Sequence, residues 1–214
     1  MTPRATIPHL FWLICPQLLE RKGLDLSAIT DLFGALSPEQ RLQIMLLYRG
    51  KAEDPESTFK NLQWLTQNLA EGGRRLMTYG DPKWVHDLDL AGLHCPDQTP
   101  LESVRHALGP EPLLGCSRHQ TSLKGNEGAQ GADYLFLSPV FQPISKTARG
   151  SVLGLSQLKT DIAKSRIPVI GLGGILPEQT LPVRNAGAHG VAFMGAPFEH
   201  DAPNTTLRKF LAKL

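Results

Sequence analysis

Cysteine is scarce in this chain. Its 214 residues hold three, Cys15, Cys95 and Cys116, an odd number with no Cys-x-x-Cys spacing. That pattern excludes a disulfide framework and suits a reducing compartment. Long apolar runs are also lacking. None reaches ten residues, which excludes a membrane-spanning helix. Neither sign of charge dominates, with 22 Lys and Arg against 20 Asp and Glu and a net charge of +2. Without a basic run, neither nucleic acid nor a membrane surface is an expected partner. Residues 1–15 carry one arginine and a short apolar run with no small-residue cleavage site behind it, so the run reads as a first strand. A cytoplasmic protein is the expectation. There is no internal repeat and no linker, so residues 1–214 are expected to form a single domain. A hydrophobic content of 41% against 20% charged is enough for a full core.

What is present is alternation. Apolar runs at 10–15, 43–48, 75–79, 92–95, 112–117, 131–138, 167–170 and 191–194 read as eight strands. Helical patterns separate most of them. Asp25 is expected to cap a helix over 26–36. Asp54-Pro55-Glu56 opens another, with Phe59, Leu62, Leu65 and Leu69 on its buried face. Further helical segments follow Pro82, Thr99, Leu155, Pro177 and Asn204. Apolar runs without polar alternation suit parallel strands covered on both faces. Eight strand–helix units predict a (β/α)8 barrel, with an open doubly wound sheet as the alternative.

In such a barrel the chemistry sits at the strand C-terminal ends. Those ends collect Arg49, Lys51, Tyr79, Asp81, His94, Ser117, His119, Ser138 and Lys146. The last two strands break at Gly171, Gly173, Gly174 and Gly195. Glycine lets backbone N–H groups approach an anion closely, which predicts a phosphate site there. Arg49, Lys51 and Lys146 would add cationic contacts to a small phosphorylated substrate. Residues 139–154 read as a loop over the mouth. His119 has a side chain suited to acid/base work near neutrality. His86 and His106 fall on helices and are expected at the surface. His94 and His119 lie near Cys95 and Cys116 in sequence, a pairing that would suit a thiolate–imidazole metal site. Free cysteine is more commonly a small buried apolar residue.

Taken in order, GADYLFLSPVF (131–141), Lys146, LGL (153–155), IPVIGLGGI (167–175) and AGAHGVAFMGA (186–196) resemble the thiamine phosphate synthase and thiazole tautomerase (TenI) family. Upstream, LLYRGK (46–51) is similar to its VQLRxK strand, AGLH (91–94) to ADGVH and LGCSRH (114–119) to IGxSxH. The resemblance covers nearly the whole chain. It implies a β/α barrel, often a homodimer, that binds thiazole phosphate in thiamine biosynthesis. By the same resemblance, the backbone of Gly174, Met194 and Gly195 holds the thiazole phosphate, and the glycine break itself adds Gly173 to that site. Arg49, Lys51, Ser117 and Lys146 meet the pyrophosphate of a pyrimidine substrate, and His119 matches the tautomerase acid/base.

The chain also departs from the family pattern. Leu47 stands where the synthase has glutamine. The family's Asn-Asp pair after the third strand appears here as Tyr79-Gly80, with Asp81 one place on. Its second magnesium carboxylate falls near Thr99, with Asp97 the nearest acid. Asp81 and Asp97 are therefore the candidate ligands of a Mg²⁺ cofactor. Three activities fit: a magnesium-dependent synthase, a metal-free thiazole phosphate tautomerase using His119, and a non-catalytic thiamine-phosphate binding module.

Overall fold

The computed structural model describes residues 6–51, 53–119, 123–143, 151–199 and 202–214. Eight parallel strands close into a barrel in sequence order. They are β1 (Leu10–Ile14), β2 (Ile44–Tyr48), β3 (Leu76–Thr78), β4 (Gly92–Cys95), β5 (Leu113–Arg118), β6 (Tyr134–Leu137), β7 (Val169–Leu172) and β8 (Gly190–Phe193). β1 closes the barrel by pairing with both β2 and β8. The (β/α)8 expectation holds, and the open sheet does not.

The first connection carries α1 (Pro16–Arg21), α2 (Ser27–Gly34) and α3 (Pro38–Leu42). The helix expected over 26–36 is α2, and α1 and α3 were not anticipated. Ser37 forms a capping box with Gln40 and starts α3 at Pro38. Leu26, not Asp25, holds the N-cap position of α2, and Asp25, one residue earlier, accepts the Ser27 N–H at 2.8 Å. α4 (Pro55–Asn68) starts at Asp54, whose carboxylate accepts the Ser57 N–H at 2.9 Å. Its buried face is Thr58, Leu62 and Leu65, followed by Leu69, while Phe59 is only partly covered and packs on Trp84. The remaining helices are α5 (Pro82–Asp87), α6 (Leu101–Leu108), α7 (Gly154–Ile162), α8 (Pro177–Asn185) and α9 (Pro203–Leu211). Among the described residues no helix joins β5 to β6, and none is long and apolar enough to cross a membrane.

Alternation along the strands sorts the core into two layers. Phe11, Leu13, Met45, Leu47, Met77, Leu113, Tyr134, Phe136, Ile170 and Ala192 form the inner cluster. Their neighbours Leu10, Trp12, Ile14, Ile44, Leu46 and Tyr48 join the outer cluster under the helices. Both layers are apolar, which is why the strands read as continuous apolar runs. The same parity sends Arg49, Tyr79 and Ser117 to the inside at the barrel's C-terminal end. Leu47 occupies the inner core, where an amide would have to find a partner.

Candidate active site

The C-terminal mouth opens into a cavity of about 780 Å³. Arg49, Lys51, Ser117, His119, Gly173, Gly174, Met194 and Gly195 all line it. These eight expected site residues therefore share one space. Lys146 lies outside the described residues.

The glycines after β7 are required by geometry. Gly173 has φ +101° and Gly174 φ +65°, conformations that side chains rarely adopt. A Cβ on Gly173 would stand 2.9 Å from Pro139, and one on Gly174 would stand 2.3 Å from the Gln142 carbonyl oxygen. Those two residues therefore lie against the loop that follows β6. Gly195 differs. It has an ordinary φ of −92°, begins a short 3₁₀ turn, and a Cβ there would meet Leu18 at 3.2 Å. Gly171, read as part of the strand break, lies within β7.

Across β1 from this end, Arg49 and Lys51 follow β2. The Arg49 guanidinium lies 6.0 Å from the Tyr79 ring centroid. Between the two basic residues, Gly50 leaves room for an acid that sequence reasoning missed. A Cβ at Gly50 would stand 2.5 Å from the Glu53 carboxylate. Glu53 accepts from Tyr48 Oη at 2.6 Å and Asn61 Nδ2 at 3.0 Å, and it lines the cavity. A glycine inside a charged Arg-Gly-Lys triplet was the available signal.

Ser117 rests on His94, whose Nε2 is 3.0 Å from the Ser117 Oγ. His119, two residues on, is exposed, with its Nδ1 2.8 Å from the Ser138 carbonyl oxygen. Between them, Arg118 turns outward and is buried against Glu127 at 3.3 Å and Asp97 at 3.6 Å. Neither acid could be paired with Arg118 from sequence spacing.

Comparison with known proteins shows the family. The model of the thiamine monophosphate synthase family matches residues 39–196. The chain belongs to that family. It is 35% identical over 127 residues to a thiamine-phosphate synthase of Salinibacter ruber, covering 59% of this chain and 56% of that protein. A thiamine-phosphate synthase of Moorella thermoacetica is 39% identical over 110 residues, covering 51% and 52%. These alignments span only about half the length of those two relatives. One from Laribacter hongkongensis is 33% identical over 164 residues, covering 72% and 76%. A thiamine phosphate pyrophosphorylase structure from Pyrococcus furiosus shares the barrel, with TM-score 0.75, 18% identity and coverage of 96% and 95%.

As a member of the thiamine monophosphate synthase family the chain departs most at its acids. Asp81 does not line the cavity. Its carboxylate caps α5, accepting the Lys83 N–H at 2.8 Å. Asp97 does line the mouth, but it accepts the Gln98 N–H at 2.8 Å and pairs with Arg118. Among the described residues no group of three or more His, Cys, Asp or Glu could hold a metal ion. Magnesium is usually held by one or two carboxylates together with substrate phosphates. The lining offers Asp97 and Glu53, but Asp97 is paired with Arg118 and Glu53 is engaged by Tyr48 and Asn61, so neither presents a free carboxylate for the metal. A thiolate–imidazole site fails on parity. Cys95 and Cys116 face the outer cluster with thiols pushed up by burial, to about 11 and about 12, while His94 faces inward.

His94 is expected to make the fold acid-sensitive. Burial, then the positive charges of Arg118 and Arg49, push its pKa from 6.5 down to about 3. Between those values the unfolded chain binds a proton that the folded chain refuses. Stability is therefore full above pH 6.5 and falls as pH drops toward 3, by about 1.4 kcal/mol per unit. His189, also lowered mainly by burial, adds to the loss in the same direction. Urea unfolding at pH 7 and pH 5 is expected to show the loss, and His94→Phe to remove most of it.

Proposed function

We propose that this protein is a thiamine-phosphate synthase, joining a pyrimidine pyrophosphate to thiazole phosphate at the barrel mouth. In this reaction the bond from the pyrimidine's exocyclic carbon to pyrophosphate breaks, and its electron pair leaves with the pyrophosphate. The thiazole then bonds to that carbon. Catalysis of such a step is largely electrostatic, through groups placed in advance around the departing anion.

The observation that carries this reading is the pair of anion-suited ends within one cavity. Gly173 and Gly174, with the Met194–Gly195 backbone, suit the thiazole phosphate. Arg49, Lys51 and Ser117 line the same cavity and suit the pyrophosphate. An isomerase needs only the first end. In that reading His119 would move the proton, but the relatives, named as synthases, weigh toward the two-substrate reaction.

The experiment is calorimetric titration with inorganic pyrophosphate. Arg49→Ala is expected to weaken binding tenfold to a hundredfold, the usual effect of losing a charge-assisted contact of about 1.5–3 kcal/mol. Affinity is expected to be the same in EDTA as in magnesium. Unchanged binding in Arg49→Ala would place the pyrophosphate elsewhere. A strict magnesium requirement abolished by Asp97→Ala would restore the metal site.

A further inference from the structure

His94 is wholly buried inside the barrel, yet side chains meet both of its ring nitrogens. Nδ1 lies 3.0 Å from the Tyr134 hydroxyl and Nε2 lies 3.0 Å from the Ser117 hydroxyl. Phe136 packs on the imidazole, with ring centroids 4.2 Å apart. Gly115 makes the space. A Cβ there would stand 2.2 Å from the Tyr134 ring and 2.5 Å from His94 Nδ1. A polar chain in an apolar core is costly unless every member is satisfied, so its hydrogens have a definite order.

That order can be worked out. His94 is neutral near pH 7 and carries one ring hydrogen. Tyr134 is held protonated by burial and has one hydrogen to give. Two acceptors are in reach: His94 Nδ1 at 3.0 Å and the Met77 sulfur at 3.5 Å. The imidazole nitrogen is closer, and a thioether is a weak acceptor. Tyr134 therefore donates to Nδ1, the ring hydrogen sits on Nε2, and Nε2 donates to Ser117. With its oxygen accepting from below, Ser117 keeps its own hydrogen to donate.

We propose that His94 and Tyr134 are positioning residues that turn the Ser117 hydroxyl hydrogen toward the mouth, making Ser117 a donor to an anionic oxygen of the substrate. In this arrangement Ser117 is not a nucleophile, because His94 cannot take its proton. The identity of the anion as pyrophosphate rests on the synthase reading above. The direction of the hydrogen-bond chain does not.

Two measurements test this. Nitrogen-15 NMR of the wild-type protein with labelled histidine is expected to show His94 protonated on Nε2 and bare on Nδ1, without titration from pH 5 to 8. The opposite tautomer would mean that Ser117 donates inward, and would overturn the proposal. Titration with inorganic pyrophosphate then supplies a double-mutant cycle. His94→Phe and Ser117→Ala are each expected to weaken binding on the order of tenfold, and the double variant no further. Losses that add, or wild-type affinity in His94→Phe, would refute a role through Ser117. If the wild type bound no pyrophosphate, the synthase reading and the donor role would both fall, while the tautomer would still report which way the chain runs.

Discussion

Gly174→Ala is expected to lose phosphate-ester binding almost as completely as Gly174→Val. A tenfold or greater rise in Kd, about 1.4 kcal/mol or more, is expected for both. The reason is where the collision falls. The first side-chain carbon would already stand 2.3 Å from the Gln142 carbonyl oxygen and 2.8 Å from the Phe141 carbonyl carbon. Both are backbone atoms, so no rotamer change relieves the contact. The residue also sits at φ +65°, which costs a non-glycine residue about 1–3 kcal/mol. The loop after β6 must therefore shift, and with it one wall of the proposed anion site. Gly195→Ala makes the contrast, because its nearest neighbour is the end of the flexible Leu18 side chain at 3.2 Å. Calorimetry with thiazole phosphate should rank wild type and Gly195→Ala together, well above both Gly174 variants. A graded loss from alanine to valine would mean that the side chain meets the ligand rather than the loop.

Glu127→Gln is expected to cost about 3–5 kcal/mol of folding stability, the usual result of removing one partner from a buried ion pair. Glu127 is 1% exposed and Arg118 5%. One Glu127 oxygen accepts from Arg118 Nε at 3.3 Å and from the Lys124 N–H at 3.0 Å. Glutamine keeps the shape and loses the charge, leaving the guanidinium with Asp97 at 3.6 Å and the Ser117 carbonyl at 2.8 Å. Such a loss is a large share of a typical domain's 5–15 kcal/mol. Because Arg118 lies between Ser117 and His119, the variant is also expected to loosen the mouth. Urea unfolding with a midpoint near wild type would show that Asp97 alone satisfies Arg118.

The strands were legible because barrel strands are apolar on both faces and punctuated by turn residues. Their observed ends shift by a few residues at most, as at β6, expected over 131–138 and found at Tyr134–Leu137. Asp54 and Asp81 were legible as helix starts because each precedes a proline. The same residue type misled at Pro16, which was read as ending β1 when it also opens α1 at the first helical position. Asp81 was doubly ambiguous, since a carboxylate at a strand end can cap a helix or bind a cation. Only the cavity lining separates the two. The His94–Tyr134 pair was not legible. Their 40-residue separation carries no local signal, and which face of β4 points inward depends on barrel register. Glu53 and Glu127 escaped for a related reason, because their partners are set by loop paths rather than by periodicity.

The most direct test is phosphorus-31 NMR of the protein mixed with pyrimidine pyrophosphate and thiazole phosphate. The account predicts that inorganic pyrophosphate appears in step with thiamine phosphate, and that Arg49→Ala and Gly174→Ala both suppress it. Binding of both compounds without release of pyrophosphate, or isomerisation of the thiazole alone, would contradict it.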